Sequence, residues 1–362
     1  MSSLDAIVIG GGMITHDQLL PSLYQLRGLG RIGKIQVCAR NSSTLEKLAF
    51  SETIRKAFPE QTFLATTEPY ERALKSMPAR QLAVVAVPDP LHRDVILAAL
   101  AADLHVCAVK PLVMTVADSI EIEHQASSRG LFVGIDYHKR FDYRSLIARR
   151  AYRDGKFGEF RLGNACLHEK WNYRQSNFQN WCTCENSDAF CYIGCHYVDL
   201  VHFITGLEPA AVSVCGLRDR YPNGNEGFLW TDARVRWSNG AILNVQNSLG
   251  YPEEGPGSNM QGLTMWSSGD RGAAMIRHSD QYRGMEYSYL NGPYSEPSAD
   301  YVQYTDSGVV GYGYRSIERI LSACENGDPD GLVATPSNSR HNERVIEAAR
   351  KSIFDGGREV LL

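Results

Sequence analysis

The first 135 residues alternate short, largely apolar runs with stretches in which apolar residues recur at helical spacing. The apolar runs cover residues 6–9, 35–39, 82–87, 104–109 and 131–135. After the first run, Leu19, Leu20, Leu23 and Leu26 fall on one face of a helix. Apolar runs separated by helices are typical of parallel strands that are covered on both faces. The pattern therefore predicts an α/β fold with a doubly wound parallel sheet.

The pattern changes after about residue 140, where apolar and polar residues begin to alternate. Alternation of this kind predicts an antiparallel or mixed sheet with one buried face. The later predicted elements are helices at 143–153, 314–325 and 341–354, and strands at 159–167, 211–217, 229–237 and 241–249. We interpret residues 250–312 as loops with short strands. The predicted domains are residues 1–136 and 137–362.

The first predicted strand runs into a glycine-rich turn and then a helix. Glycines let the backbone approach a pyrophosphate, and a helix N-terminus supplies free N–H groups and the positive end of its dipole. The turn contains Gly10, Gly12, Met13 and Ile14, but Thr15 stands where the G-x-G-x-x-G/A pattern has its third small residue. The position of the turn, between a strand and a helix, favours a dinucleotide site.

Four residues end predicted strands at the same edge of the sheet: Gly10, Arg40, Pro88 and Lys110. Ligands of open parallel sheets bind outside the carboxyl ends of the strands, so these residues indicate one site. Lys110 has two interpretations. It is either the first solvated residue after a buried strand, or a group that binds a substrate hydroxyl and helps to move its proton.

A second candidate lies on a predicted helix that begins after residues 186–188 and ends near Gly206. Its apolar positions share one face: Phe190, Ile193, Tyr197, Leu200, Val201 and Ile204. Tyr192, His196 and Asp199 lie on the opposite face, about one turn apart. They could form a general acid/base with its orienting groups, or simply a solvated polar face, and the helix alone favours the solvated face.

Composition narrows the function classes. With 43% hydrophobic and 22% charged residues, a net charge of −4 and a pI near 6.2, the chain resembles an ordinary soluble protein. Nothing in the charge favours a nucleic-acid or membrane partner, and no apolar run is long enough to span a bilayer. We therefore expect a cytoplasmic location and a small-molecule substrate.

The nine cysteines include a local cluster of Cys182, Cys184, Cys191 and Cys195. Their spacing matches no paired C-x-x-C zinc design. Buried or loop thiols are the favoured interpretation, and no metal is expected.

Several segments occur in an order that resembles one oxidoreductase family. Besides the glycine-rich start, these are V-P-D-P-L-H at 87–92, V-K-P at 109–111, Y-H-K-R-F-D at 137–142 and G-x-H-x-x-D at 194–199. Together they look like the Gfo/Idh/MocA family, the relatives of glucose–fructose oxidoreductase and inositol dehydrogenase. The resemblance implies a Rossmann domain, a C-terminal α/β domain with a large open, mostly antiparallel sheet, a nicotinamide cofactor, polyol or sugar substrates, and a homodimer or homotetramer.

The resemblance also implies roles for individual residues. Lys110 and His196 are expected to handle the proton, with Tyr192 beside them. The predicted cofactor-binding residues are Gly10, Gly12, Met13, Ile14, Arg40, Val87, Pro88, His92 and Lys110. The predicted substrate-binding residues are Tyr137, His138, Trp171, Tyr173, Trp181 and Asp199.

The chain departs from the family pattern at three places. Val109 stands where Glu usually precedes Lys-Pro, and Tyr192 stands where many members carry Asp, so the proton relay is altered. The acidic residue expected to bind the adenosine ribose is missing, and Arg40 follows the second strand instead. Arg40 could pair with a 2′-phosphate, which slightly favours NADP, or stack on adenine with NAD bound.

The resulting prediction is an NAD(P)-dependent dehydrogenase that oxidises a secondary hydroxyl, most plausibly C3, of a pyranose sugar or glycoside. The aromatic loop of Trp171, Tyr173 and Trp181 weakly favours a glycoside over a small polyol. One alternative is a glycoside-cleaving enzyme that uses bound NAD for oxidation and elimination. The other is a cofactor-binding sensor or scaffold without chemistry, against which Lys110 and His196 argue.

Overall fold

The computed structural model describes residues 3–255, 259–270, 272–279, 284–289, 292–297, 303–305, 308–311 and 313–362. The chain folds into two compact units. The first unit combines Met1–Phe141 with Tyr301–Arg340, and the second combines Asp142–Asp300 with His341–Leu362. Among the described residues, no helix has both the length and the apolar character needed to cross a membrane.

The first unit is built on a six-stranded parallel sheet with strand order β3-β2-β1-β4-β5-β6. Its strands are β1 (Leu4–Ile9), β2 (Ile32–Cys38), β3 (Leu64–Thr66), β4 (Leu82–Val85), β5 (His105–Val109) and β6 (Val133–Asp136). Its helices are α1 (Leu20–Gly28), α2 (Ser42–Ala49), α3 (Glu52–Ala57), α4 (Tyr70–Lys75), α5 (His92–Ala101), α6 (Val116–Ser128) and α10 (Tyr314–Asn326). The predicted doubly wound parallel sheet is confirmed.

The burial of each strand explains whether its apolar pattern predicts a strand. Every side chain of β4 is buried, so that strand is continuously apolar. The three residues of β3 are exposed or half-buried at the sheet edge and give no apolar signal. Helix α10 packs on β6 at Gly134, where an added Cβ would lie 2.9 Å from Ile320. The glycine thus permits close contact between this late helix and the sheet.

The second unit contains a nine-stranded mixed sheet with order β14-β13-β12-β11-β7-β10-β9-β8-β17. Its strands are β7 (Glu159–Lys170), β8 (Pro209–Arg220), β9 (Glu226–Trp237), β10 (Ile242–Tyr251), β11 (Asn259–Gly269), β12 (Gly272–Ser279), β13 (Gly284–Tyr289), β14 (Gly292–Pro297) and β17 (Val360–Leu361). Strands β7 and β10 are parallel, and the other pairs are antiparallel. A separate antiparallel pair, which belongs to the first unit, joins β15 (Gln303–Thr305) and β16 (Gly308–Val310). The helices are α7 (Tyr143–Arg153), α8 (Phe178–Trp181), α9 (Cys195–Thr205) and α11 (Arg340–Phe354).

The interpretation of residues 250–312 as loops with short strands is only partly right. Strand β11 has eleven residues and β12 has eight. Alternate positions of β11 are buried, but two of them, Gln261 and Ser267, are polar. Polar residues on the buried face hide the alternation that predicts a strand.

Candidate functional site

The glycine-rich turn after β1 is held tightly against the neighbouring strands. Gly10 has a φ of +112°, and an added Cβ would lie 2.0 Å from the Ala86 carbonyl oxygen. The Gly10 N–H donates to the Cys38 carbonyl at 2.9 Å. The Thr15 hydroxyl donates to the Gly10 carbonyl at 2.8 Å. Thr15, which departs from the glycine pattern, therefore stabilises the turn.

The turn has the features that a dinucleotide cofactor requires. Helical backbone begins at Met13, directly after the glycines, and continues into α1. An added Cβ at Gly12 would meet no atom within 4 Å, so the chain leaves open space beside this backbone. Open space beside a helix N-terminus suits a pyrophosphate. The residues present therefore fit a nicotinamide dinucleotide, with Gly10, Gly12, Met13 and Ile14 as its predicted contacts.

At the end of β2, Ala39 and Arg40 stand where an acidic residue is expected to bind the adenosine ribose. An added Cβ at Gly11 would lie 3.3 Å from the Ala39 Cβ, so Ala39 packs beside the glycine turn. Arg40 is exposed, and Asn41 directly precedes α2, which begins with Ser42. An exposed guanidinium before a helix with hydroxyl side chains in its first turn suits an added phosphate.

His92 joins the ends of two strands. It is fully buried, with Nε2 at 2.8 Å from the Val87 carbonyl oxygen and Nδ1 at 2.7 Å from the Pro111 carbonyl oxygen. The structure thus gives His92 an anchoring role for the segments around Pro88 and Lys110. The sequence does not indicate this role. The contact of His92 with a cofactor stays a prediction.

We expect His92→Phe to lower the free energy of unfolding by about 2–4 kcal/mol, because a phenyl ring cannot hydrogen-bond with the carbonyl groups that His92 contacts. Chemical denaturation of the purified variant measures this loss. His124→Phe, on the exposed surface of α6, is the matched control and is expected to change stability little. Equal stability of the two variants would contradict the anchoring role.

A buried carboxylate at the end of β6, the strand that pairs with β5, is a feature that the sequence analysis missed. Asp136 ends β6, is 2% exposed, and accepts a hydrogen bond from Gln18 Nε2 at 2.6 Å. Burial raises the pKa of Asp136 to about 6, while the neighbouring Ser316 hydroxyl, the Gln18 amide and the charge of Lys110 oppose the rise. The next residue, Tyr137, is 1% exposed. The sequence shows an acidic residue directly after an apolar run. Which residues surround that carboxyl group depends on the order of the strands in the sheet.

In the second unit, the polar stripe of α9 is buried and not solvated. His196 is 5% exposed and Asp199 is 1% exposed. Asn342 Nδ2 donates to Asp199 Oδ1 at 2.9 Å. Helix α9 ends at Gly206, which has a left-handed φ of +74° as the predicted helix stop requires. Burial of a His and a carboxylate one turn apart favours an orienting or proton-handling role over a solvated face.

Gly194 lets the chain before His196 pass close to the sheet. An added Cβ at Gly194 would lie 2.5 Å from the Phe190 ring and 2.7 Å from Asn247 Oδ1 on β10. The backbone at Phe190–Gly194 forms a π-helical turn, and α9 starts directly after it. Wider turns of this kind are frequent at functional sites.

Three of the predicted aromatic and catalytic residues come together in one cluster around Phe178. The Phe178 ring lies 5.3 Å from Tyr173, 4.9 Å from Trp181 and 4.8 Å from Tyr192, measured between ring centroids. Trp171 lies elsewhere, 45% exposed, with the Arg174 guanidinium 3.8 Å from its ring centroid. The structure therefore groups Tyr173, Trp181 and Tyr192 but not Trp171.

One thiol of the cysteine cluster, Cys191, is hydrogen-bonded to a buried carboxylate. The Cys191 thiol donates to Asp188 Oδ2 at 3.2 Å, and Arg350 Nη1 donates to the same oxygen at 3.0 Å. Burial raises the pKa of the Cys191 thiol well above its usual range. This thiol is thus held protonated at the start of the helical segment, which fits the interpretation of the cluster as buried thiols.

A different group of side chains has donor atoms close enough for a metal ion. The candidate ligand atoms of His202, Glu208 and His341 lie within 4.8 Å of one another. The two imidazole rings stack with centroids 3.8 Å apart, and His202 Nδ1 lies 2.9 Å from the Leu207 carbonyl oxygen. Stacked rings direct their lone pairs in similar directions, which suits tetrahedral coordination poorly.

Family models match both parts of the chain. Residues 4–137 match the oxidoreductase family with an NAD-binding Rossmann fold, GFO_IDH_MocA, and residues 146–274 match the GFO/IDH/MocA C-terminal domain.

Curated relatives are similar over part of their length. A 1,5-anhydro-D-fructose reductase of Ensifer adhaerens is 26% identical over 210 residues, 54% of this chain and 61% of the relative. A trans-1,2-dihydrobenzene-1,2-diol dehydrogenase of Macaca fascicularis is 26% identical over 212 residues, 58% of this chain and 59% of the relative. The chain thus spans about three-fifths of the length of these relatives.

Solved structures share the fold over essentially the whole chain. GenD2 from gentamicin A biosynthesis, solved in complex with NAD, has a TM-score of 0.75 and 19% identity, with 100% of this chain and 97% of that chain covered. The aldose-aldose oxidoreductase of Caulobacter crescentus, complexed with glycerol, has a TM-score of 0.74 and 18% identity, with coverage of 99% and 100%. With both family models matched in order, the chain belongs to the Gfo/Idh/MocA oxidoreductase family.

Proposed function

We propose that this protein is an NAD(P)-dependent dehydrogenase that oxidises a secondary hydroxyl, at C3, of a pyranose sugar or glycoside. The observation that carries the proposal is the glycine turn, where Gly10 is locked against Ala86 and the backbone at Gly12 borders open space. A nicotinamide cofactor, when bound, accepts the hydride in this reaction class. The similarity to a sugar reductase supports the substrate class.

In this proposal Lys110 and His196 bind the substrate hydroxyl, and one of them takes its proton. Lys110 follows β5, in the loop that His92 anchors through Pro111. His196 is held on α9 one turn before Asp199, whose position Asn342 fixes. These contacts fix the segments from which the two proton-handling side chains extend, which supports their proposed placement.

The aromatic cluster of Tyr173, Phe178, Trp181 and Tyr192 supports a sugar as substrate. Aromatic faces suit the C–H face of a pyranose. A phenol ordinarily has a pKa far above 7, whereas the Asp of the family pattern ordinarily carries a charge at pH 7. We therefore propose that Tyr192 hydrogen-bonds the sugar and does not accept its proton.

A two-step experiment tests the proposed function. Purified protein is denatured, and any released nucleotide is identified by mass and absorbance. Native protein is then mixed with NAD or NADP and a panel of glucosides while absorbance is followed at 340 nm. Reduction of the cofactor by a particular glucoside supports the proposal. Failure to bind either nucleotide refutes it. Cofactor binding without turnover of any glucoside favours the cofactor-binding sensor or scaffold, and release of aglycone without net NAD(P)H favours the elimination reaction.

Arg40 leads us to propose NADP as the preferred cofactor. We expect Arg40→Ala to weaken NADP binding by more than tenfold, because a charge-assisted hydrogen bond contributes about 1.5–3 kcal/mol. NAD binding, measured by the same fluorescence titration, is expected to change little. Equal weakening of both cofactors would instead indicate that Arg40 stacks on adenine.

A further inference from the structure

The turn between β8 and β9 is closed by its own hydrogen bonds. The Tyr221 N–H donates to the Asn225 carbonyl at 2.9 Å, and the Gly224 N–H donates to the Tyr221 carbonyl at 2.9 Å. Asn223 Oδ1 accepts from the Asn225 N–H at 3.0 Å. Gly224 has a left-handed φ of +89°, a conformation that glycine adopts without strain. The turn, residues 221–225, is therefore held in one shape by its own contacts.

Two amide side chains of this turn are hydrogen-bonded to α8. Asn223 Nδ2 donates to the Gln179 carbonyl at 3.0 Å and to Asn180 Oδ1 at 3.2 Å. Asn225 Nδ2 donates to the same Gln179 carbonyl at 2.8 Å. The Asn223 N–H also donates to Gln179 Oε1 at 3.1 Å. Four hydrogen bonds thus join the turn to two consecutive residues of a helix that has only four residues.

The same turn completes the C-terminal end of α8. The last carbonyls of a helix have no N–H partner within the helix, so other groups must satisfy them. The amides of Asn223 and Asn225 do this for the Gln179 carbonyl. Directly after the helix, the Cys182 carbonyl accepts from the Tyr221 hydroxyl at 2.8 Å. Because a helix of one turn gains little stability from its own hydrogen bonds, these contacts hold α8 in place.

The aromatic side chains of α8 belong to the cluster that we propose for sugar binding. Phe178 and Trp181 lie one turn apart, and their ring centroids are 4.9 Å from each other. Both rings contact the Tyr192 ring, at centroid distances of 4.8 Å and 5.5 Å. Trp181 and Tyr192 are half-buried, so part of each ring is accessible to a ligand. A shift of α8 would therefore move the rings that are available to a sugar.

We infer that the turn at residues 221–225 is a positioning element that sets the affinity of the protein for its sugar, because it fixes the aromatic cluster through α8. This inference rests on the proposed function and deepens it. A sugar that stacks on several aromatic faces requires those faces at a fixed spacing and angle. Loss of the amide hydrogen bonds therefore weakens sugar binding and leaves the chemical step unchanged.

Asn223→Asp tests the inference with a nearly isosteric change. The variant keeps Oδ1 for the Asn225 N–H but replaces the donating Nδ2 with an oxygen that faces two oxygen acceptors. We expect hydrogen–deuterium exchange in the peptide that contains α8 to become about tenfold faster, since two hydrogen bonds are lost. KM for the glucoside that the wild type oxidises is expected to rise by a similar factor, while kcat and the Kd of NADP stay unchanged.

Asn239→Asp, in the turn between β9 and β10, is the matched control. Asn239 Nδ2 donates to Glu159 Oε1 at 3.1 Å and to the Phe160 carbonyl at 3.0 Å. Its Oδ1 accepts from the Ala241 N–H at 3.1 Å, as the Oδ1 of Asn223 accepts from the chain two residues later. The same chemical change at Asn239 removes no hydrogen bond to α8. Exchange in α8 and KM are therefore expected to stay at their wild-type values.

Two further variants separate the lost hydrogen bonds from the added charge. Asn223→Ala removes the donor without adding a carboxylate, so it must also accelerate exchange in α8. Asn225→Asp removes one donor to the Gln179 carbonyl and is expected to have a smaller effect than Asn223→Asp. Wild-type exchange of α8 in both Asn223 variants overturns the inference. Faster exchange without any rise in KM overturns it as well.

The inference and the proposed function fail in different ways. If the wild type oxidises no glucoside, the proposed function is refuted, and the role of the turn in sugar affinity is refuted with it. If the wild type oxidises a glucoside and KM does not depend on Asn223, only the positioning role is refuted. A rise in KM together with an equal loss of kcat would place the effect on the chemical step and would also contradict the inference.

Discussion

Replacement of Lys110 by Met is expected to abolish hydride transfer and to leave the cofactor bound. Methionine has a similar length but can neither donate to a substrate oxygen nor exchange a proton. Loss of a general acid/base lowers the rate by about 10²–10⁴-fold. Single-turnover absorbance at 340 nm, with the glucoside that the wild type oxidises, measures this effect.

The control for Lys110→Met is cofactor affinity in the same preparation, measured by nucleotide fluorescence. An unchanged Kd together with lost turnover would show that Lys110 acts in the reaction and is not needed for the fold. The variant Lys75→Met, on α4, removes a lysine from an exposed helix position and is expected to retain full activity. Full turnover in Lys110→Met would refute the proposed dehydrogenase mechanism.

The second large effect is expected at Gly10. In Gly10→Ala the new Cβ meets the Ala86 carbonyl oxygen at 2.0 Å, and the φ of +112° is unfavourable for any L side chain. Steric overlap and backbone strain together are expected to lower the free energy of unfolding by about 2–5 kcal/mol. Denaturant titration of the protein without added cofactor measures the loss.

Gly12→Ala is the matched partner of Gly10→Ala, because its Cβ meets no protein atom within 4 Å. We expect this variant to keep the stability of the wild type and to bind NAD(P) at least tenfold more weakly, since the methyl group enters the space predicted for the pyrophosphate. Titration with each cofactor measures the change. Wild-type cofactor affinity in Gly12→Ala would refute the predicted place of the pyrophosphate.

Local patterns predicted the sheet of the first unit and the turn that follows β1. Strand β4 is apolar throughout because all four of its side chains are buried. The helix stop at Gly206 was predicted from residue type, and its left-handed φ shows why glycine is required. Predictions of this kind succeed because burial and backbone conformation act on residues that are close in sequence.

Long-range contacts explain what the patterns did not predict. The prediction for His196 and Asp199 considered only their own helix, on which a polar face is normally solvated. In the structure, α11 brings Asn342 against Asp199. Strand β11 was missed because its buried positions include Gln261 and Ser267. Asn342 donates to Asp199, and the Ser267 hydroxyl donates to the Phe157 carbonyl, so distant segments supply partners for these buried polar groups.

The sequence by itself determined the α/β class, the family, the glycine turn and the placement of Lys110 at a strand end, because each depends on residue type and short spacing. Only the tertiary structure decided that Thr15 holds the turn, that His92 joins two strand ends, and that Asp136 lies beside β5. Strand order and register set these contacts, and neither is encoded in local hydrophobic periodicity.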